Sequence, residues 1–157
     1  MNPTISVILL VLCTLANHAA QCKAVEFTDC GSTVGKFESI SVSGCNLAKP
    51  ACDLVRGTNA SIDITFTTDK EMKNVTALVY GILMDIPIPF PLPNAAACLH
   101  PQTGITCPVP KGGPYHYKAT LPVLKQYPKL SVLVKWELVD EDGNMMVCVH
   151  IPTKITD

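Results

Sequence analysis

Cysteine is the side chain in this chain with the widest chemistry, and there are eight in 157 residues. A thiolate can attack a carbonyl, ligate a metal or oxidise to a disulfide. Cys13 and Cys22 lie in the N-terminal segment. Cys30, Cys45, Cys52, Cys98, Cys107 and Cys148 lie in the remainder. No C-x-x-C pair is present, and His100, His116 and His150 are not spaced as zinc ligands, so neither a structural metal nor a cofactor is expected. Six is an even number, and in an oxidising compartment six thiols pair. Fifteen connectivities are possible. Cys45 with Cys52 and Cys98 with Cys107 are near neighbours that could each clip a local loop, leaving Cys30 and Cys148 to close a long one.

The other reactive groups read as solvent-facing. Ser39, Ser41 and Ser43 alternate along one strand, and no G-x-S-x-G turn exists to activate a serine. Asp140-Glu141-Asp142 gathers three carboxylates. A calcium loop counted from Asp140 would need glycine and glutamate where Met145 and Ile151 stand, so a solvated hairpin turn is expected. No catalysis is expected. Asn59-Ala60-Ser61 and Asn74-Val75-Thr76 are N-glycosylation sequons. The charge balance, twelve basic against thirteen acidic residues, excludes a nucleic-acid partner bound by bulk electrostatics.

The elements that would position these residues are strands. Ile62, Ile64 and Phe66 alternate with polar residues, as in a half-buried strand. Val132, Val134, Trp136 and Leu138 share one face opposite Lys135 and Glu137. Further strands are read at Val25–Phe27, Val34–Val42, Val75–Met84, Tyr115–Leu121 and Met145–Ile155. Pro152 suits an edge or a strand end. Asp142-Gly143 marks a hairpin. No segment sustains a helical period. Seven or so short strands separated by turns predict an all-β sandwich.

Composition adds two constraints. The chain is 48% hydrophobic and only 16% charged, against a usual quarter. Part of that excess is Ile5–Leu15, an apolar run too short to span a bilayer and followed by small residues. It reads as a secretory signal over residues 1–22, cut after Cys22 and leaving a domain over 23–157 with six cysteines. The other source is GILMDIPIPFPLP at residues 81–93, where prolines two apart alternate with Ile88, Phe90 and Leu92. Such a segment is either a stiff loop over a sheet edge or a stiff apolar rim beside an opening in the core. Prolines are dense from 85 to 114, so that stretch is expected to be a long ordered connection.

That run closely resembles the corresponding run in the Niemann-Pick type C-two branch of the ML lipid-recognition family. Phe27-Thr28-Asp29-Cys30-Gly31-Ser32, Cys107-Pro108, Leu121-Pro122-Val123, Tyr127-Pro128, Val134-Lys135-Trp136 and Cys148 followed by Ile151-Pro152 fall in matching order. The resemblance implies an immunoglobulin-like sandwich of two antiparallel sheets, with a lipid held between them and no catalysis. It implies the bridges Cys30–Cys148, Cys45–Cys52 and Cys98–Cys107. It carries lipid contact to Phe90, Val123, Tyr127, Pro128 and Trp136, with Val42, Ile62 and Tyr117 as walls; Ile88 joins them as a candidate through its alternation with Phe90 in the proline run. Asp85, Val149 and Ala60 replace a glycine, a tryptophan and a tyrosine of the family pattern. The function implied is a secreted or lysosomal monomer that carries sterol to a membrane or a membrane-protein acceptor. A carrier of fatty acids or other small apolar molecules, and an immune protein recognising bacterial lipid, are the alternatives.

Overall fold

A computed structural model describes residues 24–157; the expected signal segment lies outside the described residues. Nine strands occur among them: β1 (Thr28–Asp29), β2 (Gly35–Val42), β3 (Cys52–Val55), β4 (Asn59–Thr68), β5 (Thr76–Leu83), β6 (Ile86–Phe90), β7 (Gly112–Pro122), β8 (Ser131–Val139) and β9 (Met145–Thr156). Two single 3-10 turns, Ala97–Leu99 and Pro101–Thr103, lie between β6 and β7. The strands make a two-layer sandwich. One sheet runs β1-β9-β8-β5-β6 with β3 joined to β9, and the other runs β2-β4-β7. All pairings are antiparallel except β3 with β9, which is parallel.

Period-2 alternation puts one set of side chains from each layer into the shared core. From β4 these are Ile62, Ile64 and Phe66, and from β9 Val147, Val149 and Ile151. Burial deepens along β8: Val132 and Val134 are half-buried, whereas Trp136 and Leu138 are buried. The sandwich is therefore filled at its Leu138 end and splayed at its Val132 end. Cys30–Cys148 spans 118 residues and ties the first strand to the last, while Cys45–Cys52 and Cys98–Cys107 close local loops.

Val25–Phe27 precedes the first strand, β1, rather than forming one. Three further expectations are corrected. Pro152 is not on an edge strand, for β9 has partners on both sides. It sits where the outer partner changes: β1 pairing ends at His150 and β3 pairing begins at Thr153, so no ladder there requires its missing N–H. The proline run is not all connection, because Ile86–Phe90 forms the outermost strand of its sheet. Pro87 and Pro89 lie opposite Ile82 and Tyr80, at positions that cannot donate inward, so their nitrogens mark the free edge.

The third correction concerns Asp140, which is buried at 4% exposure rather than solvated. Its carboxylate accepts from the backbone N–H groups of Asp142 and Asn144 and from the Asn144 amide, and it pairs with Lys70 at 2.6 Å. Burial pushes its pKa upward, but Lys70 and these donors outweigh burial and hold it down at about 2. Glu141 accepts from the N–H groups of Lys73 and Asn74, so the acidic trio stitches β8 to the entry of β5.

Candidate lipid cavity between the sheets

The splayed end encloses a cavity of about 290 Å³. Its floor is Trp136, backed by Tyr117. Trp136 lies opposite Val79 of β5 and Val149 of β9, and its ring faces Tyr117 of the other sheet at 6.1 Å between centroids. Below this pair the core is closed; above it the sheets part. The walls come from every layer: Ile62 and Ala60 from β4, Val132 and Val134 from β8, Ile151 and Ile155 from β9, Val79, Gly81 and Leu83 from β5. Gly81 matters by absence, since a Cβ there would meet Val132 Cγ2 at 3.2 Å.

The mouth is built by β6 and the loop over 123–130. Phe90 and Tyr127 meet edge-to-face, with centroids 6.4 Å apart and planes at 81°. Val123 is buried beneath them and Pro128 completes the rim. The two aliphatic hydroxyls in the lining are already satisfied: Thr153 Oγ1 donates to the Val132 carbonyl at 2.8 Å, and the Ser61 hydroxyl bonds that of Thr120 outside the cavity at 2.7 Å. The slot therefore offers apolar surface and almost no specific polar contact. That suits an uncharged, largely hydrocarbon ligand.

Seven of the nine candidate residues line this cavity: Val42, Ile62, Phe90, Val123, Tyr127, Pro128 and Trp136. Two do not. Tyr117 is fully buried under Trp136, one layer below the cavity floor. Its phenol is pushed to higher pKa by burial, only partly offset by Trp136, and stays neutral. Ile88 shares the face of Phe90 but is 49% exposed, because β6 overhangs a narrower opposing sheet. Together with Met84 and Ile86, also exposed, it makes an apolar lip outside the cavity. Val132 and Val134 could have been found by extending the alternation from Trp136. Leu54 carried no signal, since its strand has four residues and pairs in parallel at long range.

Residues 24–155 match the family model described as the ML domain. The chain belongs to the Niemann-Pick type C2 family of ML-domain proteins. A relative from Drosophila melanogaster, named NPC intracellular cholesterol transporter 2 homolog a, is 48% identical over 132 residues, 84% of this chain and 88% of that protein. The Mus musculus NPC intracellular cholesterol transporter 2 is 40% identical over 148 residues, 94% of this chain and 95% of that protein. The crystal structure of a Niemann-Pick type C2 protein from Japanese carpenter ant superposes with a TM-score of 0.81 at 38% identity, covering 83% of this chain and 99% of that one. The immunoglobulin-like sandwich is thus the ML fold. Three disulfides and this kinship place the ML domain on the secretory route, outside the cell or in the lysosome.

Proposed function

We propose that this protein is a non-enzymatic sterol carrier that holds its cargo between the two sheets and passes it to a membrane or a membrane-protein acceptor. The observation that carries this reading is the apolar slot between Trp136 at the floor and the Phe90–Tyr127 pair at the mouth, in a family whose relatives are named for cholesterol transport. Each ~100 Å² of apolar lipid surface hidden there contributes roughly 2.5 kcal/mol. Nothing in the slot fixes the cargo by strong polar bonds, which favours handing it on. The exposed lip of Met84, Ile86 and Ile88 lies beside the mouth and supports delivery to an apolar acceptor surface.

The remaining parts of the reading follow secretion. Residues 1–22 act as the signal and are cut after Cys22. Asn59 and Asn74, both exposed, carry glycans. The mature protein acts extracellularly as a monomer.

The test is competition between a fluorescent sterol and a fluorescent fatty acid for the purified protein. The sterol should be held at micromolar concentration or tighter, and unlabelled fatty acid should displace it poorly. Retention of neither probe contradicts the carrier reading, and preference for the fatty acid replaces sterol with the smaller cargo.

A further inference from the structure

The loop over 123–130, which brings Val123, Tyr127 and Pro128 to the cavity, is not held by its own sheet alone. Its start is clamped by the β3–β4 turn: Gly57 N–H donates to the Val123 carbonyl at 2.6 Å and Val123 N–H to the Thr58 carbonyl at 2.8 Å. Its end is joined to β9, where Ile155 N–H donates to the Leu130 carbonyl at 2.9 Å. Between these fixed points Arg56 reaches across. Its Nη1 donates to the Tyr127 carbonyl at 3.2 Å, and its Nη2 pairs with Asp157. Asp157 also pairs with Lys129, two residues beyond Tyr127. The Arg56 side chain is only 25% exposed, and its backbone N–H is fixed to the Thr156 carbonyl at 2.9 Å.

We propose that Arg56 is a positioning residue for the cavity mouth, a latch that holds Tyr127 against Phe90 and so sets how fast the cargo enters and leaves. The guanidinium is planar and always charged, and it can hold a carbonyl with one nitrogen while a carboxylate fixes the other. Tyr127 closes the mouth only as well as its backbone is held, since the Phe90 contact is a single edge-to-face pair. Releasing the carbonyl would let the loop swing about its two clamped ends. Entry and exit would both quicken, while the cavity walls and hence the affinity change less. This inference rests on the cavity being the lipid site.

The experiment compares the unmodified protein with Arg56→Met, Arg56→Lys, Tyr127→Ala and the double variant Arg56→Met with Tyr127→Ala. Two quantities are read: stopped-flow release of dehydroergosterol to excess phosphatidylcholine vesicles, and amide hydrogen exchange of the unliganded protein. Arg56→Met should release the sterol about tenfold faster and speed exchange within 124–130, leaving β8 and β9 unchanged. Arg56→Lys should recover much of the slow release. In the Tyr127→Ala background, Arg56→Met should add nothing to the release rate. Unchanged release and exchange in Arg56→Met overturn the latch, as does the same acceleration in both backgrounds, which marks general loosening. Exchange is read without ligand, so an exchange response in a protein that takes up no sterol contradicts the sterol reading and still shows Arg56 holding the loop over 123–130.

Discussion

Phe90 and Val123 act on the cavity from opposite directions. Phe90 supplies half of the aromatic pair at the mouth, while Val123 is buried at 5% exposure just behind it. Phe90→Ala removes apolar contact with the ligand and should weaken sterol binding about tenfold, near 1.4 kcal/mol. Val123→Phe fills the slot and should weaken binding at least as much. Equilibrium titration with a fluorescent sterol checks both, with non-reducing mass analysis to show that the bridges survive. Asp140 acts on stability alone. Its folded pKa lies below that of an unfolded aspartate, so its contribution is present at neutral pH and lost as pH falls from about 4 through about 2. Asp140→Asn takes the charge from a buried carboxylate held by backbone N–H groups, by Asn144 and by the partly exposed Lys70, and should cost roughly 1–2 kcal/mol in denaturant unfolding at pH 7. The deficit should shrink in acid.

At the scale of elements, the β5–β6 hairpin carries two devices. Its turn residues Met84 and Asp85 both have left-handed backbone, with φ of 48° and 63°, which L side chains adopt at a cost. Asp85→Gly should therefore stabilise the protein by up to about 1 kcal/mol, read as a rise in melting temperature. Its outer strand has no N–H to offer at Pro87 and Pro89, so the long sheet cannot template another chain there. Pro87→Val with Pro89→Val restores those donors and should promote self-association, seen by light scattering. The long strands were legible because alternation is strong in β4, β8 and β9, whereas β1 and β3 have only two and four residues, too few to show a period. The proline-rich strand was not, because proline is a poor predictor of pairing unless its nitrogen is known to face outward. Pro152 misled for the same reason: only the three-dimensional change of partner along β9 makes it tolerable in a paired strand. The Asp140 turn was legible as a hairpin but not as a buried one, because Lys70 reaches it from a distant part of the chain.

For the whole molecule, closure at one end and splay at the other is the property that matters. Cys30–Cys148 closes a span of 118 residues, so replacing both cysteines by alanine should cost about 4–5 kcal/mol, against roughly 2–3 kcal/mol for the local Cys45–Cys52 clip. The low charge content noted in the sequence now has a location. Part of it fills the core below Trp136, part walls the slot above it, and part is left exposed on the lip. Position along β8 separates these fates, which composition could not do. The mouth residues were legible through family resemblance, whereas Arg56 was not, since its partners lie at 127 and 157. Trp136 is the only tryptophan in the chain, and it lies at the cavity floor. Energy transfer from it to dehydroergosterol therefore reports sterol held close to the cavity floor, and Val123→Phe separates occupancy of the slot from binding on the lip outside it. A saturable signal at one sterol per protein, reaching half-maximum at or below micromolar concentration and lost in Val123→Phe, is the predicted result. Sterol binding without transfer from Trp136, or no binding in that range, would contradict it.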